Sequence, residues 1–518
     1  MSAKVKASVS LAGATRWILI TTAISCALLE MIDATVVNVA LPEISGSIGA
    51  TRTEIAWVVT SYSIANVIVI PLSGMLSNLF GRKNYFTASV ILFTFGSLMC
   101  GFSTWLWSLV LWRFIQGLAG GGLLSTAQSI VIDAFPPEKV NTANAVFGIG
   151  VILGPVMGPV LGGVIVENLS WHWIFFINLP VGAIAAVLSW LFVTNLEGNV
   201  KPKKMDWWGI VFLALAIGSL QYVLEEGGAK DWFSNSTIII LTITAVIGII
   251  AFIIREIRVD YAAVNIRLLK NYNLSVGNFL MTVSGGIMAG AMFIFPLFAR
   301  VSLGWTPLQT GDFLMYFAIS ASAGMIIFNK LLSIGTSPKA VMISGLIMMS
   351  IYLVLLSFSA PQSNQQSYIL PMILGGLGAA GFMLPAMSLS VAGLRGADLA
   401  QGTGLANMLK RLGNAIGIAA INIYLDHQNA NVGHAMAGYI NNFNPASAER
   451  IQAFKQFFIS AGYATDVALQ AAYQMLEKEV VQQQLLVSYD HGYMMMGIVI
   501  LVCIPIILLI KTSKVKLK

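Results

Sequence analysis

Fourteen times along the chain a run of roughly 18 to 25 apolar residues is closed off by polar punctuation, and each run is long enough for a helix to cross the hydrocarbon core of a bilayer. By residue number the runs are 17–41, 55–73, 85–102, 106–132, 143–166, 174–194, 207–224, 237–254, 274–298, 308–332, 340–358, 368–394, 402–425 and 492–510. Only helices and closed barrels satisfy their backbone polar groups inside lipid, and runs of this length fit helices. With 57% hydrophobic and 10% charged residues, the chain also cannot present a water-soluble surface, which needs about a quarter of its residues charged. The expected fold class is therefore all-α and polytopic. The first run is full length and ends VNVALP with no small-residue cleavage pattern, so it is expected to stay as an anchor.

Grouped by their polar breaks, the runs fall into six, two and six. That predicts an N-terminal six-helix bundle over 1–194, two inserted helices with linkers over 195–273, and a C-terminal six-helix bundle over 274–518. About 65 residues, 426–490, interrupt the last group, too long for a connector in a compact bundle. Ile451, Phe454 and Phe458 recur there at helical spacing, Gly462 breaks the pattern, and a second helical stretch follows to about Tyr489, which predicts a helical hairpin. Alternate loops, counting Arg395 to Arg411 among them, hold about 22 of the 29 basic residues. This bias places both termini in the cytoplasm and the hairpin outside.

Composition excludes several classes of function. The net charge of +7 is scattered over short loops, not gathered into a stripe for nucleic acid. Cys26, Cys100 and Cys503 lie in apolar runs with no metal-ligand spacing, and no GxxxxGK[ST] loop is present to cradle ATP phosphates. Gly376, Gly378 and Gly381 satisfy GxGxxG but sit inside an apolar run, not at a strand-to-helix turn, so they are not a nucleotide site. No catalytic residue, metal or cofactor is expected, and transport driven by ATP on this chain alone is not expected.

The first run carries Glu30 and Asp33 where lipid tails would be, three residues apart and so on one helix face. A carboxylate at that depth opposes insertion by roughly 2.5 to 3.5 kcal/mol, so both require a protein-lined or watery interior. The fourth run buries Arg113 and Gln116; arginine keeps its charge and needs an anion, and Glu30 and Asp33 are the anions at comparable depth. A structural ion pair or a proton or cation site both fit this pattern. In the fifth run Gly150, Gly154, Gly158 and Gly162 recur every fourth residue, with Pro155 and Pro159 among them, which makes a smooth ridge for close helix packing. Gly74 and Gly81 bound the turn after the second run, followed by Arg82 and Lys83. His172, between Trp171 and Trp173, fits an aromatic interfacial belt or a titrating group. Asp312, in PLQTGDFLM, is a second-tier acid that fits either a helix start or a cavity.

Together these stretches resemble the major facilitator superfamily, in particular its fourteen-span drug/proton antiporters of the EmrB/QacA-like branch. The stretch 74–83 resembles that superfamily's motif A, the Arg113 segment its motif B, 148–163 the antiporter motif C, and MIDATVVNVALP the first-helix motif of the branch. WHWIFFINLPVG and GTGLANMLKRLGNAIG are also similar to the branch. Asn78 and Leu79 depart from motif A, where an acid and a basic residue are usual, so of its charged groups Arg82 is the one the resemblance carries over.

The resemblance implies two six-helix halves around a central cavity. It implies Asp33 as the coupling acid, with Glu30 and Arg113 beside it, and Gly74, Gly81, Arg82, Gly154, Pro155, Gly158 and Pro159 as conformational positions. Glu30, Asp33, Gln116, Asp312 and Asn407 are the expected cavity residues. The function implied is proton-coupled export of lipophilic, cationic or amphipathic small molecules across a bacterial inner membrane, with a periplasmic adaptor and an outer-membrane channel as possible partners. A dedicated metabolite or siderophore exporter, and a membrane sensor or scaffold that moves nothing, are the rival readings.

Overall fold

The computed structural model describes residues 13–195, 205–259, 261–360, 363–438 and 444–510, and every regular element among them is helical. The basic linker and the terminal segments counted in the charge bias lie outside the described residues. The N-terminal helices are α1 (Gly13–Ile48), α2 (Trp57–Phe80), α3 (Arg82–Gly101), α4 (Leu106–Asp133), α5 (Val140–Asn168) and α6 (Asn178–Phe192), the last led in by a short turn of helix at Trp173–Phe176. Two more follow, α7 (Trp207–Glu226) and α8 (Ser236–Arg258). The C-terminal set is α9 (Tyr272–Val301), α10 (Pro307–Ser333), α11 (Pro338–Leu356), α12 (Ile369–Ser390), α13 (Gly396–Ala437), α14 (Pro445–Ser460) and α15 (Thr465–Val499). All fourteen apolar runs fall on helices, α14 being the extra one.

Thirteen of the helices are long and apolar enough to cross a membrane by length and composition alone. The fourteenth, α13, misses that standard because Asn407, Lys410, Arg411, Asn414 and Asn422 interrupt its apolar residues. Several helices outrun the apolar runs that announced them: α1 continues through Pro42 to Ile48, and α13 is 42 residues long. The hairpin exists, but it is not separate from the bundle. α13 extends through 426–437, and α15 runs without a break from the hairpin into the last span. Gly462, at φ 93°, makes the turn between α14 and α15. Ile451 and Phe454 pack on Ala472, and Arg450 pairs with Glu479 at 2.9 Å.

Small residues set the closest helix approaches, as expected where lipid supplies no hydrophobic drive between helices. The glycine ridge of α5 lies along α1: a methyl group at Gly150 would stand 2.6 Å from Ile24, and one at Gly162 3.0 Å from the Val36 carbonyl. Between them Gly154 faces Met31 and Gly158 faces Thr35, both tighter still. Gly117 and Gly121 of α4 bring that helix against the backbone of Tyr62 and Asn66 on α2. In the C-terminal set, Gly286 of α9 meets Gly413 and Gly417 of α13. Gly376 and Gly378 also serve packing, against Phe317 and Ser320 of α10 and Met349 of α11. α8 turns Ala245, Gly248 and Phe252 toward its neighbours, with Gly248 close against Ala216 of α7, and leaves Ile243, Ile247, Ile250 and Ile254 facing outward.

The two sets meet where α2 and α4 pack on α13 and where α5 packs on α10. Gly74 is the tightest of these points, since a side chain there would lie 2.6 Å from the Cα of Gln401. Leucine at Gly154 would overpack the α1–α5 seam, a change that costs roughly 1–3 kcal/mol where helices fit closely. We expect Gly154→Leu to insert in the membrane and elute as a single species while losing export in vesicles. Wild-type export from that variant would show that the seam need not stay tight for transport.

Candidate functional site

Asp33 of α1 and Arg113 of α4 form an ion pair, Arg113 Nη1 to Asp33 Oδ2 at 2.6 Å, with both side chains fully enclosed. Gln116, one helical turn beyond Arg113, donates from Nε2 to Asp33 Oδ1 at 2.9 Å, and Asn178 at the start of α6 donates to the same oxygen at 2.8 Å. The carboxylate thus holds donors from two other helices. Arg113 also donates to Gln116 Oε1 at 2.8 Å and from Nε to the Val58 carbonyl at 3.3 Å. Its guanidinium stacks over the Tyr62 ring at 4.1 Å, an aromatic face that favours a desolvated cation. Ser97 Oγ accepts from Asn178 at 3.0 Å and donates to the Phe175 carbonyl at 2.9 Å, which fixes the asparagine.

Glu30 lies one turn earlier on α1 and is also buried, but its surroundings are thinner. Oε1 accepts from Asn66 Nδ2 at 3.0 Å, and Oε2 meets no protein donor. Gly120 makes room for this carboxylate, since a methyl group there would stand 3.3 Å from Glu30 Cγ and 3.1 Å from the Tyr62 hydroxyl. Tyr62 therefore stands between the two acids, its ring under Arg113 and its hydroxyl toward Glu30. Across from α1, Lys410 and Arg411 of α13 lie within electrostatic range of Glu30. Both fall inside the apolar run 402–425, although the charge bias counts them with a cytoplasmic loop. They are instead the 15th and 16th residues of α13, about 21 Å along its axis, because the helix begins at Gly396.

The remaining sequence candidates divide. Asp33 and Gln116, expected on a cavity wall, are enclosed between α1, α4 and α6, since the arginine draws both into one network. Asp312 is exposed as the sixth residue of α10 and joins neither acid. Asn407 does reach the centre: it donates to Gln128 of α4 at 2.9 Å, Gln128 donates to Asn144 of α5 at 3.3 Å, and Asn144 to Ser388 of α12 at 3.2 Å. This polar chain ties the two sets of helices together beside a gap of about 10 Å³ lined by Gln128, Phe147, Met281, Met387, Asn407 and Lys410. Sequence reasoning missed Asn66, Gln128, Asn144, Asn178 and Lys410. The available signal was the same for each, a polar side chain inside or at the end of an apolar run.

At the far end of α4, Arg82 pairs with Asp133 at 2.6 Å, and Arg395, at the N-cap of α13, is near enough for its charge to act on the same carboxylate. The charged contact of this turn is thus made with α4, and Gly81, at φ 85°, lets the chain turn so that Arg82 can reach it. Pro155 and Pro159 lie within α5 beside the glycines that touch α1. His172, outside the spans, stacks on Trp171 with centroids 3.7 Å apart, and partial burial pushes its imidazole below the usual range.

The family model described as Major Facilitator Superfamily matches residues 23–418. Multidrug export protein EmrB of Haemophilus influenzae is 32% identical, covering 86% of this chain and 87% of its own length. The probable multidrug resistance protein EmrY of Escherichia coli is 31% identical, covering 94% of each chain. Among solved structures, the human organic anion transporter MFSD10 (TETRAN) shares the fold with a TM-score of 0.58 at 14% identity, covering 94% of this chain and 99% of that one.

Removing one partner of a buried ion pair strands the other, a loss of about 3–5 kcal/mol. Arg113→Ala should therefore unfold at a clearly lower temperature in detergent, and adding Asp33→Asn should recover more than half of that loss. Losses that simply add would mean that the two side chains are not energetically coupled.

Proposed function

This chain belongs to the Major Facilitator Superfamily, as a secondary transporter and not an enzyme, and on that premise we propose that it exports lipophilic and amphipathic small molecules in exchange for protons. The observation that carries this reading is the enclosed Asp33–Arg113 pair at the junction of α1, α4 and α6. Three donors converge on the carboxylate, so the arrangement is stable only while Asp33 is ionised. A proton on Asp33 removes the charge that holds Arg113 and sets an O–H among those donors. The pair then opens, and α1 is free to shift along the glycine ridge of α5. Release of the proton closes it again. An inward proton supplies roughly 2.3 kcal/mol for each 100 mV and about 1.4 kcal/mol for each pH unit, enough to drive export uphill.

Relatives named for multidrug export support a broad substrate range. In this reading both termini are cytoplasmic, the membrane is a bacterial inner membrane, and the α14–α15 hairpin stands on its outer side. Phe457, Tyr463, Val467 and Tyr473 are exposed on that hairpin, a set of apolar side chains fit for docking a periplasmic adaptor that leads to an outer-membrane channel.

Inside-out vesicles test both parts. The wild-type protein should concentrate several unrelated dyes when a proton gradient is imposed, and a protonophore should abolish this. Phe457→Glu combined with Tyr463→Glu should keep vesicle export but lose resistance in whole cells. Equal loss in both assays would make the hairpin a lid, and no gradient-driven movement of any dye would refute export.

A further inference from the structure

The gap between the two sets of helices, at about 10 Å³, has room for little more than one water, but a second hollow is far larger. An open groove of about 580 Å³ lies between the last turn of α8 and the short 3-10 helix Ile266–Lys270 that leads into α9, and it is lined by Ile257, Ile266, Arg267, Leu269 and Lys270. Side chains three residues apart in a 3-10 helix lie over one another, so Arg267 and Lys270 share one face and Ile266 and Leu269 the next. The groove is therefore basic on one side and apolar on the other.

Arg267 donates from Nη2 to the carbonyls of Ile257 and Val259 at 3.0 and 3.2 Å, which fixes the guanidinium at the end of α8. Lys270 is exposed and has no ion-pair or hydrogen-bond partner among the described residues. No described lining residue is acidic. The carboxylates nearby on α7 and α8 are engaged elsewhere: Asp206 is buried and pairs with Arg255 at 3.0 Å, and Glu256 is buried and accepts from the Val264 amide at 3.3 Å.

On the apolar side, Ile257 ends the exposed stripe of Ile243, Ile247, Ile250 and Ile254, which recur at helical spacing along one face of α8. That helix is long and apolar enough to cross a membrane, so the groove stands where a lipid-facing stripe reaches the water boundary. We infer that this groove binds an anionic phospholipid of the surrounding membrane, with the phosphate and headgroup at Arg267 and Lys270 and the acyl chains along Ile257, Ile254 and Ile250. A free phosphate would meet the cations but leave the apolar wall in water, and a zwitterionic phospholipid would cover the wall but bring no net charge to the cations. The inference depends on α8 spanning a membrane and not on what the protein exports.

The position gives such a lipid a hold on the bundle. Asn265, at the head of the 3-10 helix, donates its amide to Gln401 Oε1 of α13 at 3.2 Å, and Gln401 is the residue against which Gly74 of α2 packs so closely. A lipid that fixes Ile266–Lys270 therefore steadies the contact between the two sets of helices, and binding should raise the unfolding temperature.

The test titrates full-length protein in detergent with phosphatidylglycerol, with phosphatidylcholine of the same acyl chains and with inorganic phosphate, counting bound lipid by native mass spectrometry and following thermal unfolding. Phosphatidylglycerol should be retained more tightly than phosphatidylcholine and should raise the unfolding temperature more. Lys270→Glu should weaken the tightest phosphatidylglycerol site about ten-fold or more, and Lys270→Arg should keep it. The comparison of the two lipids needs only wild-type protein, so it stands even if a variant fails to fold. Equal retention of both lipids would overturn the inference, leaving ordinary lipid coverage of an apolar surface. Stabilisation by inorganic phosphate as great as that by phosphatidylglycerol would make the groove a soluble-anion site, and undiminished phosphatidylglycerol binding in folded Lys270→Glu would place the anionic lipid elsewhere.

Discussion

A guanidinium that cannot lose its charge sits inside a membrane bundle, and the structure around it is arranged so that it is never alone. Arg113 has Asp33 at 2.6 Å, Gln116 and the Val58 carbonyl as further acceptors, and the Tyr62 ring over its face. Taking both charges from water costs several kcal/mol for each ion, and their attraction offsets this best when further hydrogen bonds are made; both Asp33 oxygens and Arg113 Nε and Nη1 have partners, while Arg113 Nη2 has none among the described residues. That requirement fixes the neighbours. α6 must bring Asn178, α2 must bring Tyr62, and α1 must lie close enough for Asp33 to reach. The glycine ridge of α5 answers the last demand, since any side chain at Gly154 or Gly158 would hold α1 away.

The same pair connects to the contacts between the two sets of helices. α4 carries Arg113 in its first half, Gln128 in its second and Asp133 at its end, so the helix that holds the ion pair also joins the Asn407–Gln128–Asn144–Ser388 chain and the Arg82–Asp133 contact beside Arg395. A change in the charge of Asp33 therefore acts on a rigid element with further partners along its length. Under the proposed exchange, this is the route by which a proton taken up between α1 and α4 would alter how α4 and α2 meet α13. Few of these cross-contacts are charged, which keeps the cost of breaking and remaking them low in each cycle.

Much of this was legible in residue order because a membrane leaves a chain few choices. Apolar runs of bilayer length become helices, glycines every fourth residue become a packing seam, and Asp33 and Arg113 at like depth must find each other. What was not legible depended on where helices end and which way side chains turn. Lys410 and Arg411 follow the polar start of α13 and read as part of a basic loop, yet the helix begins 14 residues before Lys410 and carries both to mid-span. Gln116 read as a cavity residue because it is polar. It faces Asp33 instead, since the residue three places after Arg113 shares its helix face. Asp312 showed the same composition signal as Asp33, but it forms no ion pair among the described residues and remains exposed.

The central claim is that Asp33 converts a proton gradient into movement of α1 against its neighbours. The most direct measurement is accumulation in proteoliposomes under an imposed pH gradient, with wild-type protein and Asp33→Asn compared at equal density. Asparagine keeps the shape of the side chain and can still accept from Arg113, but it cannot take up and release a proton. The wild-type protein is expected to concentrate a transported dye above its outside level. The variant is expected to let the same dye equilibrate without concentrating it. Accumulation by Asp33→Asn to the wild-type level would contradict the account and move the coupling proton to another carboxylate, with Glu30 first in line.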